Sequence, residues 1–280
     1  MNMNSETATY SLADLLRIME RLRDPKHGCP WDIKQSFQSI VPSTIEECYE
    51  LAAAIEELDY DHIADELGDV LFQVVFYSQL GREQELFDFY SVVDGLAEKL
   101  LRRHPHVFSE GAIEGRADRV MDAKQVKQQW ESIKASERQE RDQSSAIDDV
   151  PTALPALPRA QKLQKRAARV NFDWDSIDPV YDKVLEEYRE LKSAHADKDE
   201  AAVEEEVGDL LFTVVNLARH LGIDAETALR GANGKFERRF RAVEREAASA
   251  GNDLQKLDAT TLEELWQSAK QSENQAKANP

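Results

Sequence analysis

Residues 66–75 read Glu-Leu-Gly-Asp-Val-Leu-Phe-Gln-Val-Val, and residues 206–215 read Glu-Val-Gly-Asp-Leu-Leu-Phe-Thr-Val-Val. Seven of the ten positions are identical at an offset of 140 residues. The segment at 46–51, Glu-Glu-Cys-Tyr-Glu-Leu, returns at the same offset as Glu-Glu-Tyr-Arg-Glu-Leu at 186–191. Because chance does not preserve one offset across two separated segments, the chain contains an internal repeat, which predicts two modules of one architecture.

Weaker matches flank the repeated segments. Trp31-Asp32 corresponds to Trp174-Asp175, and the Lys-Leu-Leu-Arg-Arg segment at 99–103 corresponds to Lys-Phe-Glu-Arg-Arg at 235–239. The offsets of these matches differ from 140 because loops tolerate changes in length. Each half therefore begins with a Trp-Asp pair, continues through two predicted acidic helices and ends with a predicted basic helix.

The composition predicts an all-α fold. Hydrophobic residues make up 41% and charged residues 32% of the 280 residues, while Gly (11) and Pro (9) are scarce. Straight-chain residues lose little rotamer freedom in a helix, so this balance favours helices.

The net charge, the two cysteines and the N-terminal segment limit what the protein is expected to bind and where it is expected to act. The net charge of −19 argues against a broad nucleic-acid surface, which needs clustered Lys and Arg, and against binding to anionic membranes. A polyphosphate substrate remains compatible with this charge if divalent metal reverses the local sign. The two cysteines, Cys29 and Cys48, do not form a disulfide framework, and no secretory signal is recognisable. We expect a cytoplasmic protein that binds neither nucleic acid nor membrane.

We place the N-terminal module at residues 10–135, a linker at residues 136–160 and the C-terminal module at residues 161–272. The linker prediction depends on a charged run at 137–142 and on Pro151, Pro155 and Pro158, because proline interrupts helices.

A pair of antiparallel helices is expected in each module. In the first, Ser43 or Thr44 is the predicted N-cap of a helix that ends near Leu58. Residues 59–61 form the predicted turn, and a second helix follows over residues 62–80. In the second module the turn is predicted at residues 197–199. Loops this short make consecutive helices antiparallel neighbours.

Four carboxylates recur on each predicted helix pair. Residues three apart share one helix face, so two acids on the first helix and two on the second meet at one seam. The first set is Glu47, Glu50, Glu66 and Asp69, and the second is Glu187, Glu190, Glu206 and Asp209. Solvated acidic stripes are common on helices, but the duplication of this spacing beside a duplicated apolar segment favours a metal site.

The donor types indicate a hard divalent cation. Oxygen ligands suit Mg²⁺, with Mn²⁺ as a possible substitute, and there is no His/Cys set of the kind that binds zinc. His62 lies four residues before Glu66, but its repeat counterpart is Ala202, so we interpret His62 as a surface residue.

These residues resemble the MazG-type all-α nucleoside triphosphate pyrophosphohydrolases. The matching motifs are Gly-Cys-Pro-Trp-Asp at 28–32 with Gln35, Glu-Glu-x-x-Glu at 46–50 and 186–190, and Glu-x-x-Asp at 66–69 and 206–209. The resemblance covers residues 12–270 and is closest to two-module members of the family. It implies hydrolysis of an NTP or dNTP to the monophosphate and pyrophosphate, a Mg²⁺ requirement, a homodimer, and a housecleaning or nucleotide-pool role. The two carboxylate sets would be the metal ligands.

Other residues are candidates for the remaining chemistry. Beside the metal set, Glu186 or Glu46 can orient or deprotonate the attacking water, and Glu187 and Glu190 complete the predicted catalytic group. Basic residues must hold the phosphate charge. The candidates are Lys235, Arg238 and Arg239 in the second half and Lys99, Arg102 and Arg103 in the first. Trp174, Trp266 and Trp31 are candidate base platforms.

The two halves differ at one position near the acids. Asn216 lies seven residues after Asp209, where its amide can assist the metal–substrate site, and the first half has Phe76 there. We therefore expect the C-terminal module to be the main catalyst. The open alternatives are a narrower hydrolase for dUTP, dCTP or an alarmone, and a metal-stabilised helical scaffold that binds a protein partner without turnover.

Overall fold

The computed structural model describes residues 9–115, 121–139, 145–148 and 150–278, and every regular element in these ranges is helical. The all-α prediction is therefore confirmed. The chain divides into two compact units, Met1–Ser136 and Glu137–Pro280. In the same ranges, no helix combines the length and the apolar character that crossing a membrane requires.

The N-terminal unit is built on a helix hairpin. Its helices are α1 (Leu12–Leu22), α2 (Phe37–Glu57), α3 (Tyr60–Glu83), α4 (Phe89–Arg103) and α5 (Ala123–Gln139), the last of which crosses the boundary between the units. Helices α2 and α3 form the hairpin, and α1 and α4 pack on α3.

The C-terminal unit repeats this hairpin. Its helices are α6 (Ala156–Ala168), α7 (Asp178–Asp197), α8 (Glu200–His220), α9 (Ala225–Ser249) and α10 (Ala259–Ala278). Helices α7 and α8 form the hairpin, α6 packs on α8 and α9, and α10 packs on α9.

The predicted module boundaries and the linker at 136–160 stay a prediction. Residues 140–144 and 149 of that linker lie outside the described residues. Within the linker, α5 ends at Gln139 and α6 begins at Ala156. Pro158 is the third residue of α6, where its missing N–H would have no intrahelical acceptor, so this proline does not interrupt the helix.

The predicted start of the first acidic helix at Ser43 or Thr44 is wrong. Helix α2 begins at Phe37, because Ser36 and Ser39 form a reciprocal cap. The Ser39 backbone N–H donates to Ser36 Oγ at 3.2 Å, and the Ser36 backbone N–H donates to Ser39 Oγ at 2.8 Å. The Thr44 hydroxyl donates to the Ile40 carbonyl at 3.1 Å inside the helix.

Removing this cap tests the corrected helix start. Ser36→Ala is expected to lower the free energy of unfolding by about 1 kcal/mol, the usual cost of losing an N-cap side chain. Ser43→Ala, at the position where the sequence placed the cap, is expected to change it by less than about 0.5 kcal/mol. Urea unfolding followed by circular dichroism measures both variants, and a larger loss in Ser43→Ala would contradict the observed start of α2.

Both hairpins turn in the same way. Leu58 (φ 58°) and Lys198 (φ 58°) adopt the left-handed conformation that ends a helix, and the following Asp caps the next helix. Asp59 Oδ1 accepts from the His62 N–H at 3.2 Å, and Asp199 Oδ1 accepts from the Ala202 N–H at 3.1 Å. The turn predicted at 197–199 is confirmed, whereas α3 begins at Tyr60, two residues earlier than predicted.

The hydrophobic core of the N-terminal unit lies between α3 and the helices around it. Phe76 is completely buried, and the core around it consists of Met19, Ile40, Val75, Leu80 and Phe89. The acidic stretches of α2 and α3 lie toward the turn between them, away from this cluster. This arrangement leaves the turn-proximal part of the hairpin for polar groups.

Candidate metal centre

The N-terminal hairpin brings three carboxylates together. Glu47 on α2 and Glu66 and Asp69 on α3 have carboxylate oxygens within 4.8 Å of one another. Glu66 is only 7% exposed, and among the described residues its Oε2 has no hydrogen-bond partner. An unpaired oxygen on a buried carboxylate is costly, so this group fits a cation.

The C-terminal hairpin forms a corresponding group. Glu187 and Glu190 on α7 and Glu206 on α8 have carboxylate oxygens within 4.8 Å of one another. Glu187 is 4% exposed. The Lys183 ammonium lies 2.7 Å from Glu187 Oε1 and 2.9 Å from Glu186 Oε1. Each hairpin therefore has one deeply buried carboxylate, carried by α3 in the first unit and by α7 in the second.

In each unit the structure brings together three of the four predicted carboxylates. Glu50 lies outside the first group of three, and Asp209 lies outside the second. Both residues are exposed, in contrast to Glu66 and Glu187. Both residues nevertheless interact electrostatically with the groups. The charge of Glu50 raises the pKa of Glu47, and the charge of Asp209 raises the pKa of Glu206.

Crowding of like charges raises the pKa of one acid in each group. Burial raises the pKa of Glu47, and the neighbouring charges of Asp69, Glu50 and Glu66 raise it further. Burial and the charges of Glu190, Glu187 and Asp209 likewise raise the pKa of Glu206. Both groups therefore disfavour their fully ionised form, and a divalent cation removes this penalty.

Two side chains that contact the buried acids were not recognised from the sequence. His62, interpreted as a surface residue, is half-exposed, but its Nε2 lies 2.8 Å from Glu66 Oε1. Lys183 was not considered, although its position four residues before Glu187 places both on one face of α7. The i,i+4 spacing from a nitrogen-bearing side chain to the acid was the signal in both cases. In each unit such a side chain, His62 or Lys183, thus contacts the buried acid.

The basic candidates lie on α9 in the C-terminal unit and on α4 in the N-terminal unit. Arg239 Nε lies 2.6 Å from Glu273 Oε2, and Arg238 Nη2 lies 3.3 Å from Glu273 Oε1, so both contact α10. Lys235 is exposed on the same helix. In the N-terminal unit, Arg102 and Arg103 occupy the last turn of α4, and Lys99 lies one turn earlier.

The aromatic candidates have different surroundings. The Trp266 ring on α10 lies 5.4 Å from the Phe236 ring on α9, measured between centroids. Trp31 is exposed and precedes a short 3₁₀ helix at Asp32–Lys34. Trp174 lines a cavity of about 290 Å³ in the C-terminal unit together with Asn216. Asn216 thus faces this cavity, and its Oδ1 accepts a hydrogen bond from Arg219 Nε at 2.8 Å.

The fold and the two acidic groups define a class of protein. It is an all-α chain with two repeated helix hairpins, each of which gathers carboxylate oxygens suited to a metal ion. A family model for the MazG nucleotide pyrophosphohydrolase domain matches residues 35–108 and 177–243, which contain both groups.

Two known proteins resemble most of the chain, and one solved structure resembles part of it. The nucleoside triphosphate pyrophosphohydrolase of Escherichia coli strain K12 is 52% identical over 261 residues, which cover 92% of this chain and 97% of that protein. The nucleoside triphosphate pyrophosphohydrolase/pyrophosphatase MazG of Thermotoga maritima is 45% identical over 257 residues, covering 92% and 94%. The crystal structure of a mazG-related protein from Thermotoga maritima is 25% identical, covers 44% of this chain and 99% of that chain, and has a TM-score of 0.37.

The chain belongs to the MazG nucleotide pyrophosphohydrolase family and is a hydrolase.

Proposed function

We propose that the protein hydrolyses nucleoside triphosphates, as NTPs or dNTPs, to the monophosphate and pyrophosphate in a Mg²⁺-dependent reaction. The observation that carries this proposal is the convergence of Glu187, Glu190 and Glu206 around one point of the α7–α8 hairpin. The names of the two whole-chain relatives support the same reaction.

The residues fit a hard divalent cation. All the donors are carboxylate oxygens, and in each group one donor is buried with its charge only partly compensated. Glu187, Glu190, Glu206 and Asp209 would hold Mg²⁺ in the C-terminal unit, and Glu47, Glu50, Glu66 and Asp69 in the N-terminal unit. Bound there, the metal would neutralise phosphate oxygens and lower the pKa of a coordinated water.

Glu186 is the proposed base. Its side chain is exposed beside the buried Glu187, and its Oε1 accepts from the Lys183 ammonium at 2.9 Å. In this position it can take the proton of a water that attacks the α-phosphorus. The bond between that phosphorus and the bridging oxygen then breaks, and pyrophosphate leaves. Glu46 is the equivalent residue in the N-terminal unit.

Basic and aromatic side chains would hold the rest of the substrate. Lys235, Arg238 and Arg239 are the proposed phosphate ligands, with Arg102 and Arg103 as counterparts in the N-terminal unit. Since Arg238 and Arg239 both contact Glu273, the phosphates would compete with that carboxylate. Trp266 and Trp31 remain proposed contacts of the nucleoside part.

We place the main activity in the C-terminal unit. Each unit gathers three of its four predicted acids: Glu190 belongs to the C-terminal group and Asp69 to the N-terminal group, while their counterparts Glu50 and Asp209 lie outside. The two units differ instead at the position of Asn216. Asn216 lines a cavity in the C-terminal unit, and buried Phe76 occupies the corresponding position of α3.

A homodimer acting in cytoplasmic nucleotide-pool control is part of the proposal. Large apolar side chains are exposed along the catalytic hairpin, where a second copy would cover them. They are Tyr181, Leu185, Tyr188, Leu211 and Val214. Sedimentation is expected to give twice the 31.8 kDa of the chain, and a monomer at micromolar concentration would contradict the dimer.

A substrate panel tests the reaction directly. Pyrophosphate release from each NTP and dNTP is expected with Mg²⁺, to continue with Mn²⁺, and to stop when EDTA removes the metal. Including dUTP, dCTP and an alarmone separates a broad enzyme from a narrow one. No pyrophosphate from any of these substrates, with either metal, would leave a non-catalytic scaffold as the better explanation.

A further inference from the structure

We propose that His62 is a fourth ligand of the N-terminal metal centre, so that this centre binds a first-row transition ion, such as Mn²⁺ or Co²⁺, in preference to Mg²⁺. The C-terminal centre has only oxygen donors and keeps the preference for Mg²⁺. The inference rests on the metal binding that is part of the proposed function, and it adds a difference between the ions that the two units hold.

His62 continues the line of acids on α3. His62, Glu66 and Asp69 occupy positions i, i+4 and i+7 of the helix, so their side chains lie on one face. Glu47 reaches the same place from α2, and its carboxylate oxygen lies within 4.8 Å of those of Glu66 and Asp69. The imidazole therefore stands at the end of the metal centre that is nearest to the turn between α2 and α3.

The contact between His62 and Glu66 has the spacing of two ligands of one ion. His62 Nε2 lies 2.8 Å from Glu66 Oε1. Two donor atoms that are each about 2.1 Å from an ion, at right angles to each other, lie about 3 Å apart. The group of oxygens within 4.8 Å does not include His62. Its side chain is half-exposed, however, so packing does not prevent the ring from turning toward an ion in that group.

The buried acid beside His62 is left with one unpaired oxygen. Glu66 is 7% exposed, and among the described residues its Oε2 has no hydrogen-bond partner. One imidazole contact at Oε1 therefore leaves a buried carboxylate only partly compensated. A divalent ion shared with Glu47 and Asp69 supplies the missing charge. A neutral imidazole then offers the lone pair of Nε2 to the ion, since one nitrogen of the neutral ring is an acceptor.

The C-terminal hairpin lacks this nitrogen donor. Ala202 occupies the repeat position of His62, so the line on α8 consists of Glu206 and Asp209 alone. The buried acid of this unit, Glu187, contacts Lys183 instead, and an ammonium has N–H donors but no lone pair for a metal. Imidazole suits transition ions, whereas carboxylate oxygens suit Mg²⁺. The two hairpins therefore differ in the ion that they select.

Metal competition in the full chain tests the selectivity. In excess Mg²⁺, equilibrium dialysis is expected to show about one Co²⁺ retained per wild-type chain, because a nitrogen ligand favours transition ions over Mg²⁺. His62→Ala is expected to weaken Co²⁺ binding by at least about tenfold, the lower end of the loss that follows when even an outer partner of a ligand is removed. Its Mg²⁺ affinity should stay close to that of the wild type. His27→Ala removes an exposed histidine of the same unit and is the control, which should change neither affinity.

Electron spin echo spectroscopy of bound Mn²⁺ identifies the ligand directly. Modulation from a coordinated nitrogen nucleus is expected in the wild type and in His27→Ala, and it is expected to disappear in His62→Ala. Ala202→His places the same residue at the repeat position of the C-terminal hairpin. This variant is expected to increase the nitrogen modulation and to retain a second Co²⁺ in excess Mg²⁺.

The outcomes separate a metal ligand from a hydrogen-bond partner. If His62→Ala leaves the Co²⁺ affinity and the nitrogen modulation unchanged, the proposal is overturned and His62 only pairs with Glu66. If His62→Ala does not fold, as judged by circular dichroism, Ala202→His decides the question, and no gain of nitrogen modulation there would count against the proposal. None of these measurements requires turnover. Absence of pyrophosphate release would therefore count against the proposed function, while the metal measurements would still judge the role of His62.

Discussion

Glu190→Gln is expected to lower Mg²⁺-dependent pyrophosphate release by roughly 100–1,000-fold, whereas Glu50→Gln should retain most of the activity. Glutamine keeps the shape of the side chain but removes the charge that would hold the metal. Metal ions contribute several kcal/mol of transition-state stabilisation, and each 1.36 kcal/mol corresponds to about tenfold in rate. Glu190 lies within the C-terminal carboxylate group, while Glu50 lies outside the N-terminal group.

The two variants are matched, because they make the same change at repeat positions of the two units. The measurement is kcat/KM for a substrate that the panel identifies, at saturating Mg²⁺. Circular dichroism confirms that both variants keep their helical content. Equal losses, or a greater loss in Glu50→Gln, would show that the N-terminal unit is the principal catalyst or shares the activity.

Glu206→Gln is expected to stabilise the metal-free protein at pH 7 and to remove the part of its stabilisation by Mg²⁺ that comes from the site in the C-terminal unit. The folded chain raises the pKa of Glu206 above the usual 4.5, through burial and through the charges of Glu190, Glu187 and Asp209. The folded state therefore holds this proton more tightly than the unfolded state does. The resulting stability is fully present below pH 4.5 and is lost as pH rises through the folded-state pKa. A neutral glutamine does not incur that loss.

Thermal unfolding with and without Mg²⁺ measures both effects. At a Mg²⁺ concentration of about 100 times Kd, a site that binds only the folded state adds about 2.7 kcal/mol to the wild-type chain. Glu204→Gln is the control, because it removes the same charge from an exposed position on the opposite side of α8. If Glu206→Gln lowers the metal-free Tm, or still responds to Mg²⁺ like the wild type, the carboxylates do not form a shared metal site.

The helix period is sufficient to predict the acidic groups from the sequence. Acids three residues apart on two helices joined by a short turn must converge, and the duplication at an offset of 140 identified both hairpins. The all-α fold was likewise predictable from composition. The start of α2 was not predictable from the sequence. Ser36 with Ser39, and Ser43 or Thr44, are both plausible helix caps, and local propensity does not choose between them.

The amino-acid sequence by itself thus determined the repeat, the helical class and the residues that can bind metal, since these depend on period and residue type along one or two helices. Only the tertiary structure decided which carboxylate of each group is buried and that Lys183 and His62 contact those acids. It also decided that Asn216 faces a cavity where Phe76 fills the core. These outcomes depend on how α6 packs against α8 and α1 against α3, because burial and cavity volume arise from contacts between distant segments.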